Sequence, residues 1–242
     1  MSQVISGARA RKEKPEVSVV IPTFNESLII GDRVTEISQI LKRKKIPHEI
    51  LVVDDGSFDL TGAVAKEYGA TVISFLKSHG KGYATRRGVS LAKGDIIVTI
   101  DADGYNPRDL EKLIESVKNG ADIVVASRIS KASNIRPYAL RKRSKLATLL
   151  FNLLFVLLTG KFVSDSLTSF RAYRKGVFNQ LNPASDGFEL ASEITYKALS
   201  RNLIYKELPI TFNVRDTTRF DGRSFFDGLR ILKNILMLLL IR

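Results

Sequence analysis

The chain predicts an α/β fold, a mostly parallel sheet with helices on both faces. Three observations carry that expectation. Short, β-branched apolar runs recur roughly every 20 to 30 residues, as strands buried on both faces do. Stretches with helical spacing lie between them. Four of the runs hand their C-terminal ends a polar cluster: Glu26, Asp54/Asp55, Asp101/Asp103 and Ser127-Arg128. Four clusters on one rim of one sheet describe a site, because open α/β sheets bind ligands there.

The elements follow in order. Residues 17–21 form the first strand, which ends in Pro22-Thr23-Phe24-Asn25-Glu26. Residues 27–45 carry Leu28, Val34, Ile37, Ile40 and Leu41 at helical spacing, and the basic end at 42–45 complements the helix dipole. A second strand spans 49–53 and ends in Asp54-Asp55-Gly56-Ser57. Asp59 or Thr61 starts a helix that runs to Tyr68 and stops at Gly69. Strand 71–75 is followed by Ser78-His79-Gly80-Lys81-Gly82, which leads into a helix ending at Lys93. Then come a strand at 96–100, a helix from Pro107 to Lys118 and a strand at 122–126.

Composition sets the limits. At 242 residues, 44% hydrophobic and 26% charged, the chain is globular and can bury a substantial core. With no cysteine, disulfides, thiol catalysis and cysteine-bound zinc are excluded, and the two histidines, His48 and His79, leave little room for histidine chemistry. The net charge of +13 points to an anionic partner: nucleic acid, nucleotide or an acidic membrane surface. Residues 1–14 are polar and basic without the apolar core of a signal peptide, so a disordered tail and a cytosolic start are expected.

Asp101 and Asp103 stand one residue apart at the end of a buried strand, an expensive arrangement without a cation between them. A hard divalent cation that itself holds a diphosphate would satisfy both. The structural alternative is an acidic turn in which Asp103 caps the next helix. Glu26 and Lys81 have similar alternatives, as a helix support and as a solvated loop lysine beside two glycines.

The segments VVIPTFNE, VVDDGS, GKGYATRRG and DADG, in that order and spacing, resemble the family 2 glycosyltransferases with a GT-A fold. SR at 127–128, the basic stretch before an apolar run, DSLTSFRAYR at 165–174 and PITFNVR at 209–215 resemble the polyprenyl-phosphate sugar transferases of the dolichyl-phosphate mannose synthase type. The resemblance implies inverting transfer of a hexose from GDP-mannose or a UDP-sugar to dolichyl or polyprenyl phosphate. It places Pro22, Phe24 and Glu26 on the base and ribose, with Val53 and Asp55 completing that pocket. Lys81 falls on the nucleotide-sugar. Asp101, Ala102 and Asp103 match the motif for Mg²⁺ or Mn²⁺ and diphosphate, with Tyr105 near the third ligand position. An acceptor phosphate would need cations to hold it, for which Arg128 and one or more of Arg141, Arg143 and Ser144 are the candidates. The resemblance places Asp165 near the reacting centre, with Asp103 and Arg128. Arg215 and Arg219 resemble a loop that closes on the diphosphate, although Phe225 stands where lysine is usual.

Two apolar runs, 146–158 and 229–241, are each about 13 residues, short of the roughly 20 that span a bilayer. They are either core helices or interfacial helices; the cations between Arg136 and Lys145 favour an anionic lipid surface. The expected organisation is a tail at 1–14, a transferase domain at 15–228 that includes an interfacial helix at 138–159, and a second interfacial helix at 229–242. Peripheral attachment at the cytoplasmic face is expected, with no nucleic-acid partner. A sugar nucleotidyltransferase would carry a Gly-rich loop where this chain has PTFNE. A nucleic-acid module would interleave its cations with aromatics.

Overall fold

The first strand, β1 (Val17–Thr23), is buried along its whole length and lies at the heart of the sheet. In this computed structural model, which describes residues 14–130, 134–135, 152–212 and 233, β1 pairs in parallel with two partners. These are β2 (His48–Asp54) and β4 (Ile96–Thr99). β3 (Thr71–Ser74) adds in parallel outside β2. On the other side β7 (Arg171–Arg174) runs antiparallel between β4 and β5 (Ile123–Ser127), and β8 (Tyr205–Pro209) lies parallel to β5. The order is therefore β3-β2-β1-β4-β7-β5-β8, beside a small parallel pair of β6 (Asn134–Ile135) and β9 (Thr211–Phe212).

Side chains alternate across the strands and divide the core in two. Val17, Val19, Ile21 and Val98 face α1 (Ser27–Arg43) and α4 (Leu110–Lys118), where Val34, Ile37, Leu113 and Ile114 meet them. Val20, Val53, Ile97, Val125 and Tyr173 face the other way. There they meet α3 (Lys81–Leu91), α6 (Lys175–Leu181) and α7 (Leu190–Ser200) through Ala84, Phe178 and Ile194. Each fully buried aliphatic contributes on the order of 1.5–3 kcal/mol. A third cluster joins a helix at 152–159, α5, to α7 through Phe155, Val163, Leu167, Tyr196 and Leu199.

Local chemistry sets the ends. Lys42 and Arg43 close α1, as the dipole favours. α2 (Thr61–Glu67) gives way to Gly69, whose φ of 93° suits a residue without a side chain. Asn106 caps a single 3₁₀ turn at Pro107–Asp109 before α4. The predicted strands agree with the observed ones to within about two residues. The sequence reading saw no strand at β7, which lies in the DSLTSFRAYR segment, nor at β8 or the short pair of β6 and β9.

Candidate functional site

Four C-terminal strand ends converge, and each is braced by a segment distant in sequence. After β1, Asn25 sits at φ 56° and locks the turn: its amide N–H donates to Ser57 Oγ (2.9 Å) and its Oδ1 accepts from Phe58 N–H (2.8 Å). The next residue, Glu26, is held by its own N–H on Thr61 Oγ1 at 2.8 Å. After β2, the buried carboxylate of Asp55 accepts from Ser78 Oγ (2.7 Å) and from the N–H groups of His79 and Gly80 (both 2.9 Å). It thereby fixes the glycine-rich loop ahead of Lys81.

The centre of the site follows β4. Asp101 is ion-paired with Lys81 Nζ at 2.6 Å and accepts from Ser169 Oγ at 2.6 Å. Lys81 also reaches Ser169 Oγ at 3.4 Å, and its ammonium stands 5.5 Å from the centre of the Phe188 ring. Behind the acidic turn, the buried Arg33 of α1 donates from Nε to the carbonyl of Ala102 at 2.7 Å. After β5, Arg128 forks onto Asp165: Nε to Oδ2 at 2.8 Å, Nη2 to Oδ1 at 2.9 Å, and its backbone N–H to Oδ2 at 3.0 Å. Glu207 of β8 accepts the N–H groups of Ser164 and Asp165 at 2.7 and 3.0 Å.

The electrostatics of this rim are unbalanced. Burial pushes the Glu26 carboxyl up to about 7, with Asp103 and then Asp101 adding to the rise. Burial and the neighbouring Asp101 raise Asp103 as well. Burial works against the charge of the half-buried Asp101 too, yet Lys81 and Ser169 hold it below the usual carboxylate range. Three carboxylates thus face chiefly Lys81 and Arg33, a surplus of negative charge that a divalent cation would relieve. Among the described residues no three acidic or histidine side chains form a ready-made metal cage.

The remaining expected residues are placed as follows. Pro22 lines an open cleft with Lys81, Asp101, Ser169 and Phe188. Phe24 is 44% exposed and meets Phe58 edge-on at 6.0 Å, which leaves an aromatic face at the rim. Val53 is packed in the core below the rim. Tyr105 is buried against Phe170, and its hydroxyl shares hydrogen bonds with Thr168 (3.1 Å) and Ser169 (3.4 Å), one hydroxyl removed from Asp101. Arg141, Arg143, Ser144, Arg215 and Arg219 lie outside the described residues, as do the tail up to residue 13 and nearly all of the second apolar run. Sequence reasoning missed Arg33, Ser169 and the Arg128–Asp165 pairing; the only signal for Ser169 was its place in the DSLTSFRAYR segment.

Of the expected interfacial helix, the described part is α5, and it is two-sided. Asn152 and Phe155 are buried, whereas Leu153 and Leu157 are 57% and 74% exposed, and nearby Phe162 is 78% exposed. Among the described residues no helix is long and apolar enough to cross a membrane.

Parallel strands that deliver acidic ends to a lysine-bearing, glycine-rich loop give this chain an α/β fold of the GT-A class. Residues 18–181 match the glycosyl transferase family 2 domain, and the chain belongs to that family. It is 34% identical over 226 residues to a dolichol-phosphate mannosyltransferase of Pyrococcus furiosus, covering 89% of this chain but only 62% of that protein. It is 29% identical to a dolichyl-phosphate hexose transferase of Haloferax volcanii, over 91% of this chain and 92% of that one. In fold it is similar to the glucosyl-3-phosphoglycerate synthase of Mycobacterium tuberculosis, crystallised with Mn²⁺, UDP and phosphoglyceric acid. The TM-score is 0.73 at 22% identity, with 92% of this chain and 78% of that chain covered. The chain is a glycosyltransferase.

Proposed function

We propose that this glycosyltransferase moves a hexose from a nucleoside diphosphate sugar to a polyprenyl phosphate at a membrane surface, with inversion at the anomeric carbon. The observation that carries the reading is the placement of the surplus-acid rim on a chain whose α5 turns exposed leucines outward. The names of the Pyrococcus and Haloferax relatives support the acceptor class.

The chemistry asks little proton transfer of the protein. A phosphate monoester has a second pKa near 6, so at neutral pH the acceptor is largely dianionic and needs no general base. The task of the chain is to hold two anionic substrates in line. Phe24 and Pro22 offer apolar surface for the base, and Lys81 is a cation for the diphosphate once it lets go of Asp101. Asp101 and Asp103 would hold Mg²⁺ or Mn²⁺, which supplies Lewis-acid stabilisation of the departing diphosphate. Ser169 orients the Asp101 carboxylate, and Arg33 fixes the turn that carries Asp103. Arg141, Arg143, Ser144, Arg215 and Arg219 are proposed as further phosphate contacts, and peripheral attachment at the cytoplasmic face as the setting.

A donor screen tests the proposal. Protein, Mg²⁺ or Mn²⁺ and polyprenyl phosphate are incubated with each labelled GDP- or UDP-sugar, and label is followed into the lipid phase. One donor is expected to give a lipid-phosphate sugar, and Asp103→Asn is expected to lose at least a hundredfold in turnover while keeping its unfolding midpoint. Transfer to water-soluble acceptors alone would overturn the acceptor class. Near-normal turnover by Asp103→Asn would overturn the metal assignment.

A further inference from the structure

We infer that Glu193 is a positioning residue: it locks the loop at 183–188 onto the start of α3 and so aims Lys81 at the diphosphate. The inference rests on the proposed role of Lys81. Glu193 lies on α7 and is 2% exposed. Its carboxylate accepts the N–H of Ala184 at 2.9 and 3.1 Å and that of Ser185 at 2.8 Å, and pairs with Lys197 Nζ one turn along at 2.6 Å. Burial opposes its charge, yet Lys197 and these N–H groups keep its carboxyl below the usual range. A buried carboxylate with that many partners fixes what it touches.

The loop it fixes is the cap of α3. Gly80, at the N-cap, offers no side chain to the first turn. The N–H of Tyr83, orphaned in that turn, instead donates to the carbonyl of Asp186 at 3.0 Å. Arg86 Nε donates to the carbonyl of Ser185 at 3.2 Å, and its guanidinium pairs with the Asp186 carboxylate. The contact is backbone on backbone: a Cβ on Gly82 would lie 2.6 Å from the Ser185 carbonyl oxygen, so no side chain fits between helix and loop. The same loop carries Phe188, the ring beside the Lys81 ammonium. Glu193 therefore acts at a distance: it sets the loop, the loop sets the first turn of α3, and that turn and Phe188 set Lys81. A lysine with four rotatable bonds gains from being aimed, since small misplacements are costly at a reacting centre.

A mutant cycle read by binding tests this. Wild type, Glu193→Gln, Lys81→Met and the double variant are titrated calorimetrically with GDP and with UDP in Mg²⁺, and the tighter nucleotide is carried through. The matching nucleoside serves as a control without phosphates. Lys81→Met is expected to weaken the diphosphate about tenfold, Glu193→Gln to weaken it several-fold, and the double variant to be no weaker than Lys81→Met. Nucleoside affinity should stay constant throughout. Arg86→Ala, which loosens the same loop from the surface, should show the same dependence on Lys81 if Glu193→Gln does not fold. Wild-type diphosphate affinity in both Glu193→Gln and Arg86→Ala, or losses that multiply in the double variants, would overturn the inference while leaving Lys81 as a ligand. Wild-type affinity in Lys81→Met would instead overturn the role of Lys81, and the inference with it.

Discussion

Arg128 and Asp165 are buried side by side at the end of β5, 3% and 0% exposed, and that pairing gives each a structural part. The sequence made one a candidate phosphate contact, and the resemblance placed the other near the reacting centre. In the structure they form a bidentate pair that ties β5 to the segment before β7. Burial alone would lower the pKa of Arg128, but Asp165 raises it overall. Removing one member strands the other charge away from water, at a cost of about 3–5 kcal/mol. Arg128→Met and Asp165→Leu should each lose on that order in urea unfolding, and the double variant should lose less than the sum. Additive losses would show that the two do not depend on each other. The acidic cluster was legible because its members stand within three residues and a strand precedes them. The partners were not: Ser169 reaches Asp101, Arg33 reaches Ala102 and Asp165 reaches Arg128 across long stretches of chain. Linear spacing carries no record of which segments the sheet brings together.

At the scale of elements, periodicity served where one element packs against one face. Strands β1 to β5 and helices α1 to α4 were legible because parallel strands are uniformly apolar and their helices are not. β7 escaped because Arg171 and Tyr173 both turn inward to the same face, so its four residues show polar atoms where a buried strand shows aliphatics. α5 escaped in a different way. An all-round apolar run fits a core helix and an interfacial helix alike, and in the structure one face of α5 is packed while the other is exposed. Phe155 is fully buried against Val163, Leu167, Tyr196 and Leu199, whereas Leu157 lies mostly in solvent. Phe155→Ala should therefore cost about 3–5 kcal/mol by denaturant unfolding. Leu157→Ala should stay within about 0.5 kcal/mol of wild type. Equal losses would mean that both faces of α5 are packed.

For the molecule as a whole, the proposed function asks how a soluble donor would meet a lipid that cannot leave its bilayer cheaply, since each buried CH₂ is worth about 0.8 kcal/mol. Leu153 and Leu157, one turn apart on α5, and Phe162 just after it are exposed. The same stretch continues to Asp165 and Ser169, which meet Arg128 and Asp101 at the acidic rim. A surface that docked there would lie next to the donor site, and the +13 net charge would draw it to anionic headgroups. The wild type should float with anionic liposomes. Raised salt should weaken that binding only in part, because it screens the charges and leaves the apolar contribution. Leu153→Glu/Leu157→Glu should stay in solution and lose transfer to lipid-embedded acceptor. Its nucleotide affinity and unfolding midpoint should hold, because both side chains already face solvent. A double variant that floats like wild type, or a wild type that never floats, would mean that this face is not the docking surface.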